Sequence, residues 1–195
     1  MTENKKKSRD EAWALLCRYT KSESLIRHAL TVEAAMRRAA VVYGDDGADA
    51  EEWGITGLLH DFDYEQFPTP DVHPWKGAEI MRAEGYPENM IEAILGHAPY
   101  TLVPRRTAMA RSLFAVDELS GFVVACALVR PSRSLEDLTA SSVRKKLKDK
   151  AFARTVSRDD VYESARELPA DLDAHINFVI ETLKPIEHEI GLGRA

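Results

Sequence analysis

The sequence predicts an all-α fold, on three observations. Apolar residues recur at helical intervals through most of the chain, helix-start and helix-stop residues punctuate those stretches, and no internal repeat or low-complexity region interrupts them. At 195 residues and 45% hydrophobic, the chain is long enough for one domain with a sizeable core. Residues 1–195 are therefore expected to form a single helical bundle, with a core over 20–130 and a small C-terminal helical extension over 131–195 packed on it.

A first helix is expected over Asp10–Tyr19, with Trp13, Leu16 and Cys17 on one side. Ser22-Glu23-Ser24 begins a second, in which Leu25, Ala29, Val32, Ala35, Met36 and Ala39 keep a helical repeat. It runs to Val42-Tyr43, where Gly44 stops it before the turn Asp45-Asp46-Gly47. A third spans Ala50–His60 and ends near His60-Asp61, because Phe67-Pro68-Thr69-Pro70 follows as loop. Pro74 suits the first turn of a fourth helix, which Gly85 ends after Glu84, and Pro87 with Glu88 opens a fifth through His97. A sixth covers Arg105–Leu119. Gly121–Val129 is apolar enough for helix or buried strand, and the helical surroundings favour helix. Beyond Pro131-Ser132 come a basic segment, a helix over Arg158–Glu167, and a last one over Asp171–His188 with Ile176, Val179, Ile180 and Leu183 inward. Pro185 is placed to bend or end it.

The 32 acidic residues outnumber the 26 basic ones, and a formal charge of -6 argues against general affinity for nucleic acid or anionic membrane. Acids concentrate at Asp45, Asp46, Asp49, Glu51, Glu52, Asp61, Asp63, Glu65 and Asp71, with no Lys or Arg between Arg38 and Lys76. That tract is expected to surround the site and favour cations. Arg144, Lys145, Lys146, Lys148 and Lys150 form the opposite cluster, which suits either an anionic substrate or a solvated helix face. Cys17 and Cys126 lie in apolar helical patterns without a CxxC motif, so buried free thiols are expected. The Lys-rich start is not followed by an apolar signal region, and no run reaches the length of a membrane span, so the cytoplasm is the expected compartment. The Gly121–Val129 stretch serves either the core or a partner surface, which leaves a homodimer open.

His60-Asp61 closes the apolar run Ile55-Thr56-Gly57-Leu58-Leu59, a metal-competent pair on a helix that otherwise reads as core. His28, His73, His97 and Asp117 lie on separate segments, each beside apolar positions that would hold it inside. One such histidine alone reads as a core residue; the set reads as a metal site. Imidazole nitrogen and carboxylate oxygen suit zinc, iron, manganese and related cations. A carboxylate such as Asp61 also has two oxygens to bridge paired cations, which activate water and stabilise phosphoryl charge. The expected cofactor is one or two cations among Fe, Mn, Zn, Co, Ni and Mg.

The ordered set H…HD…H…H…D resembles the HD-domain superfamily of metal-dependent phosphohydrolases. The resemblance covers about residues 20–120 and is carried by His28, Leu58-Leu59-His60-Asp61, His73-Pro74-Trp75-Lys76-Gly77-Ala78-Glu79-Ile80, Ile91-Glu92-Ala93-Ile94-Leu95-Gly96-His97 and Ala115-Val116-Asp117. It implies an HD-domain helical bundle in which His28, His60, Asp61 and Asp117 hold one cation, while Asp61 bridges to a second held by His73 and His97. Phe62-Asp63 departs from the common HDIG form, which alters the pocket and makes Asp63 either a proton-transfer residue beside Asp61 or a surface acid. Tyr64 and Trp75 line either a nucleotide-sized pocket or the core.

A group of small predicted HD hydrolases is also similar over Ala115-Val116-Asp117-Glu118-Leu119-Ser120-Gly121 and the stretch holding Ser142, Val143, Lys145, Lys146 and Lys148. That similarity implies that the basic cluster faces the site. The expected activity is hydrolysis of a phosphoester or phosphoanhydride in a nucleotide or small phosphorylated metabolite. Arg144, Lys145 and Lys146 would hold a distal phosphate, with Lys76 and Arg130 as further anion contacts. A di-iron oxygenase of a small metabolite and a non-catalytic nucleotide-binding sensor are the alternatives. His175 and His188 read as separate from the cluster.

Overall fold

The computed structural model describes residues 6–193; Met1–Lys5 and Arg194–Ala195, the two ends of the expected domain, lie outside the described residues. Every regular element among them is helical. In chain order these are α1 (Arg9–Tyr19), α2 (Glu23–Tyr43), α3 (Ala50–Leu59), α4 (Trp75–Ala83), α5 (Glu88–His97), α6 (Ala108–Leu128), α7 (Ala140–Leu147), α8 (Arg158–Glu167) and α9 (Leu172–Leu183). Short 3-10 turns follow α5 and α9, the second over Lys184–Ile186 with Pro185 inside it, so the last helix ends at Leu183 rather than reaching His188. None of the described helices is long and apolar enough to cross a membrane.

Local chemistry sets most of the helix starts. Ser8, Asp49, Thr107, Thr139, Ser157 and Asp171 each accept backbone N–H groups of the first turn, satisfying donors that have no partner within the helix. Pro74 and Pro87, which precede α4 and α5, make no such cap, and neither does Ser22 ahead of α2. There the Glu65 carboxylate, from the turn after α3, accepts the Lys21 and Ser22 N–H groups at 2.7 and 3.0 Å. Glu65 therefore ties the His60-Asp61 turn to the start of the helix that carries His28.

Other acids of the tract are spent on local structure. Asp49 caps α3 and pairs with Lys6, Glu51 pairs with Arg37, and Asp45 and Asp46 stand exposed in the turn after α2. Only Asp61 and Asp63 of this tract enter the candidate centre, which corrects the expectation that the whole tract surrounds it.

The expected helices Arg105–Leu119 and Gly121–Val129 form one continuous α6, which starts at Ala108 because Thr107 caps it. Gly121 costs about 1 kcal/mol of helix propensity, but Leu119, Phe122, Val123 and Cys126 around it are buried and outweigh that loss. This helix joins two apolar clusters. Its first half packs through Met109, Leu113 and Val116 into a cluster with α1 to α5; its second half packs through Phe122 and Val123 into one with α7 to α9. The expected boundaries shift accordingly. Ala12, Leu15 and Leu16 place α1 within the first cluster, and the change of cluster falls inside α6 rather than at residue 131.

Crossing of α2 and α3 brings the first two candidate ligands together. A Cβ on Gly57 would lie 2.7 Å from the Val32 carbonyl oxygen and 2.9 Å from Met36, so only glycine permits this approach. His28 is one turn before Val32, and His60 is close to one turn after Gly57. Replacing Gly57→Ala is expected to cost about 1–3 kcal/mol by overpacking. Urea denaturation measures the loss, and an unchanged midpoint would contradict the close crossing.

Candidate metal centre

Six side chains converge from five segments. His28 projects from α2, and His60 and Asp61 stand where α3 ends. His73 lies just ahead of α4, His97 is the last residue of α5, and Asp117 sits midway along α6. Because α3 stops at Leu59, His60 and Asp61 leave the helix in different directions and still reach the same space.

The donor atoms fall into two groups that share Asp61. In one, His28 Nε2 lies 3.0 Å from Asp117 Oδ1 and 3.2 Å from His60 Nε2, while His60 Nε2 lies 3.3 Å from Asp117 Oδ1 and 3.4 Å from Asp61 Oδ2. In the other, Asp61 Oδ1 lies 3.2 Å from His73 Nε2 and 3.3 Å from His97 Nε2. Each group has ligand-type atoms close enough to hold a metal ion: His28, His60 and Asp61 in one, Asp61, His73 and His97 in the other. With metal–nitrogen bonds of roughly 2.1 Å, ligand atoms around one ion stand about 3.0 Å apart in an octahedron and about 3.4 Å apart in a tetrahedron. The observed separations match the edges of such a shell.

Two further observations fit the same chemistry. Asp61 Oδ1 is buried and faces His73 Nε2 and His97 Nε2 at 3.2 and 3.3 Å, so its charge is met either by a cation or by a proton on one of those rings. Three of the four imidazoles are also locked with Nε2 inward. His60 Nδ1–H donates to the Gly57 carbonyl at 2.8 Å, His97 Nδ1–H to the Ile94 carbonyl, and His73 Nδ1–H to Asp63 Oδ1 at 2.8 Å. Such outer bonds fix the tautomer that ligates metal. Asp63 is fully buried, and its second oxygen accepts the Gly77 N–H at 2.8 Å. A Cβ on Gly77 would come within 2.9 Å of Asp63 Cγ, so glycine is needed there. The structure thus places Asp63 behind His73, with both oxygens engaged, as a positioning residue rather than a group that reaches substrate.

Electrostatics of the metal-free centre follow from this crowding. Burial works against the charged forms of Asp61 and Asp117, but the neighbouring histidines outweigh it and hold Asp61 well below, and Asp117 below, the usual carboxylate range. Burial likewise lowers His60 and His73, yet Asp61 and Asp117 raise His60 well above its ordinary value, and Asp61 and Asp63 raise His73 to about 9. Burial and the adjacent Asp117 charge push Glu118 up to about 8.

His28, Asp61, His73, His97 and Asp117 open onto a pocket of about 530 Å³, with His60 buried beneath it. Tyr64, Tyr100, Glu118, Thr155 and Asp160 supply further walls. Tyr64 was expected there; Trp75 does not line the pocket. None of Lys76, Arg130, Arg144, Lys145 and Lys146 lines it either, which corrects their expected place beside the substrate. Lys76 pairs with Glu79 and Arg144 with Asp173, while Arg130, Lys145 and Lys146 border a different concavity beyond the end of α6. His175 is buried on α9 and donates Nε2–H to the Ala115 carbonyl at 2.9 Å, a core role outside the cluster. Sequence reasoning did not single out Tyr100, Thr155, Asp160 or Glu118; the last stood in plain sight next to Asp117.

Comparison with family models, curated proteins and solved structures gives no match. The chemistry of the centre is therefore read from its own geometry.

Cation uptake must displace the protons that His60 and His73 hold in the metal-free protein. Affinity is expected to rise with pH above neutrality, on the His73 side up to about 9, with proton release at neutral pH. Calorimetry in buffers of different ionisation enthalpy reads this, and pH-independent affinity would show the imidazoles already neutral. Asp63→Asn should weaken the ion on the His73 and His97 side by roughly 10–100-fold while sparing the His28 side, as followed by metal stoichiometry under dialysis.

Proposed function

We propose that the chain is a metal-dependent phosphohydrolase of a phosphorylated small metabolite, in keeping with the HD-domain resemblance of its ligand order. The observation that carries this reading is Asp61, set between two histidine groups with one carboxylate oxygen towards each, beside an open pocket. His28, His60, Asp61 and Asp117 would hold one cation, and Asp61, His73 and His97 a second. Such ions supply Lewis acidity towards phosphoryl oxygens and lower the pKa of water.

The remaining side chains narrow the substrate. Asp61, Asp117, Glu118 and Asp160 line the pocket, and no Lys or Arg does among the described residues. Phosphoryl charge would be met by the cations alone, and a second or third phosphate would face Glu118 and Asp160 without a basic partner. A monoester with one phosphoryl group fits this surface better than a polyphosphate. Tyr64 and Tyr100, both partly exposed at the pocket, offer faces for a flat organic body. In the reaction, the water oxygen joins phosphorus, the ester P–O bond breaks, and the departing alcohol takes a proton as inorganic phosphate forms.

The test is phosphate release from a panel of nucleoside monophosphates and sugar phosphates, with protein loaded separately with Mn, Fe, Zn, Co, Ni or Mg. Asp61→Ala is expected to reduce release to background, and Tyr100→Ala to raise KM for substrates with a flat body more than it changes kcat. Full metal occupancy with no release from any substrate would overturn the proposal. Oxygen consumption by the iron-loaded protein would then support the oxygenase reading, and ligand-raised melting without turnover the sensor reading.

A further inference from the structure

The basic stretch that sequence analysis assigned to substrate binding has a pocket of its own. It is a concavity of about 570 Å³ between the end of α6 and α7, within the range of small-molecule sites. Cys126, Val129, Pro131 and Leu138 give it an apolar floor, and Arg130, Lys145 and Lys146 a cationic rim. Val129 is 59% exposed, an apolar side chain left uncovered next to that rim.

The cations are not equally engaged. Arg130 is held by Asp137, at 3.0 Å from Nε and 2.7 Å from Nη2. No carboxylate pairs with Lys145 or Lys146 among the described residues; the Lys146 ammonium stands 4.7 Å from the centre of the Phe152 ring. Asp149, the acid on this surface, turns Oδ1 to the Ala151 N–H at 3.1 Å. Two ammonium groups that enter no ion pair, beside an apolar floor and against the one Asp149 carboxylate, match an anionic head on an apolar or flat body.

This concavity is also separate from the metal pocket, with which it shares no lining residue. Ala125 faces the metal pocket and Cys126 the concavity, so α6 itself is part of the partition. The segment after α7 completes it, with Asp149 on one side and Ala153, Thr155 and Val156 on the other. Arg158 stiffens that segment by donating to the carbonyls of Asp149, Phe152, Ala153 and Val156.

We propose that this concavity is a second, metal-independent binding site for a phosphorylated small molecule with a flat or apolar body, the class to which nucleotides belong, held by Lys145 and Lys146. The site is distinct from the hydrolytic centre and does not depend on that centre's activity.

Calorimetric titration of the full chain in the presence of a chelator tests this, with adenosine 5′-monophosphate as the probe and adenosine and inorganic phosphate as controls. The monophosphate is expected to bind at least about tenfold more tightly than either control, a difference of about 1.4 kcal/mol. Joint replacement Lys145→Ala and Lys146→Ala should weaken it by about tenfold or more. Lys145→Glu should do the same by charge alone, since Lys145 is exposed and makes no ion pair. Asp117→Ala should leave the affinity unchanged. Binding no tighter than that of inorganic phosphate, binding indifferent to both lysine variants, or binding lost with Asp117→Ala would each overturn the proposal.

Discussion

The crowding of four inward imidazole nitrogens and two carboxylates at the floor of one pocket is the constraint on which the rest of the structure turns. Charged groups removed from water are costly unless paired, and here the pairing is concentrated on one residue, Asp61. The surrounding architecture serves that arrangement. Gly57 lets α2 and α3 approach closely enough for His28 to face His60, Glu65 fastens the turn after α3 to the start of α2, and Gly77 makes room for the carboxylate that steadies His73.

Ligand-type residues were legible in the sequence because each is a histidine or aspartate beside apolar positions, at a helix end or on an inner face. His28, His60, Asp61, His73, His97 and Asp117 do come together. The helices were legible for the same reason, since their apolar repeats and caps are local. What depended on contacts between distant segments was not. Asp63 looks like a free acid until the Gly77 N–H and His73 are seen against it. The basic stretch was assigned to the wrong side of α6 because a run of lysines carries no record of which face of a later helix it packs beside. Glu51 and Asp49 counted as cation-attracting charge although a partner and a cap already consume them.

Charge is sorted by α6. On one side the surface is acidic and carries His28, Asp61, His73, His97 and Asp117 over the buried His60; on the other it is cationic over an apolar floor. The first surface carries no Lys or Arg among the described residues, so its protein cations are histidines alone. Cys126 shows how shielded the partition is, because burial pushes its thiol up to about 12 despite the nearby Lys146, Arg158 and Arg130 charges.

The ligand set ends at Asp117, whereas Glu118, Ala125, Thr155, Val156 and Asp160 furnish much of the wall facing it. Ligand-type side chains and much of the wall thus lie in consecutive stretches of the chain, with Tyr64 and Tyr100 adding to the wall from earlier in it. Variation after the middle of α6 can therefore reshape part of the pocket wall without touching the six clustered side chains.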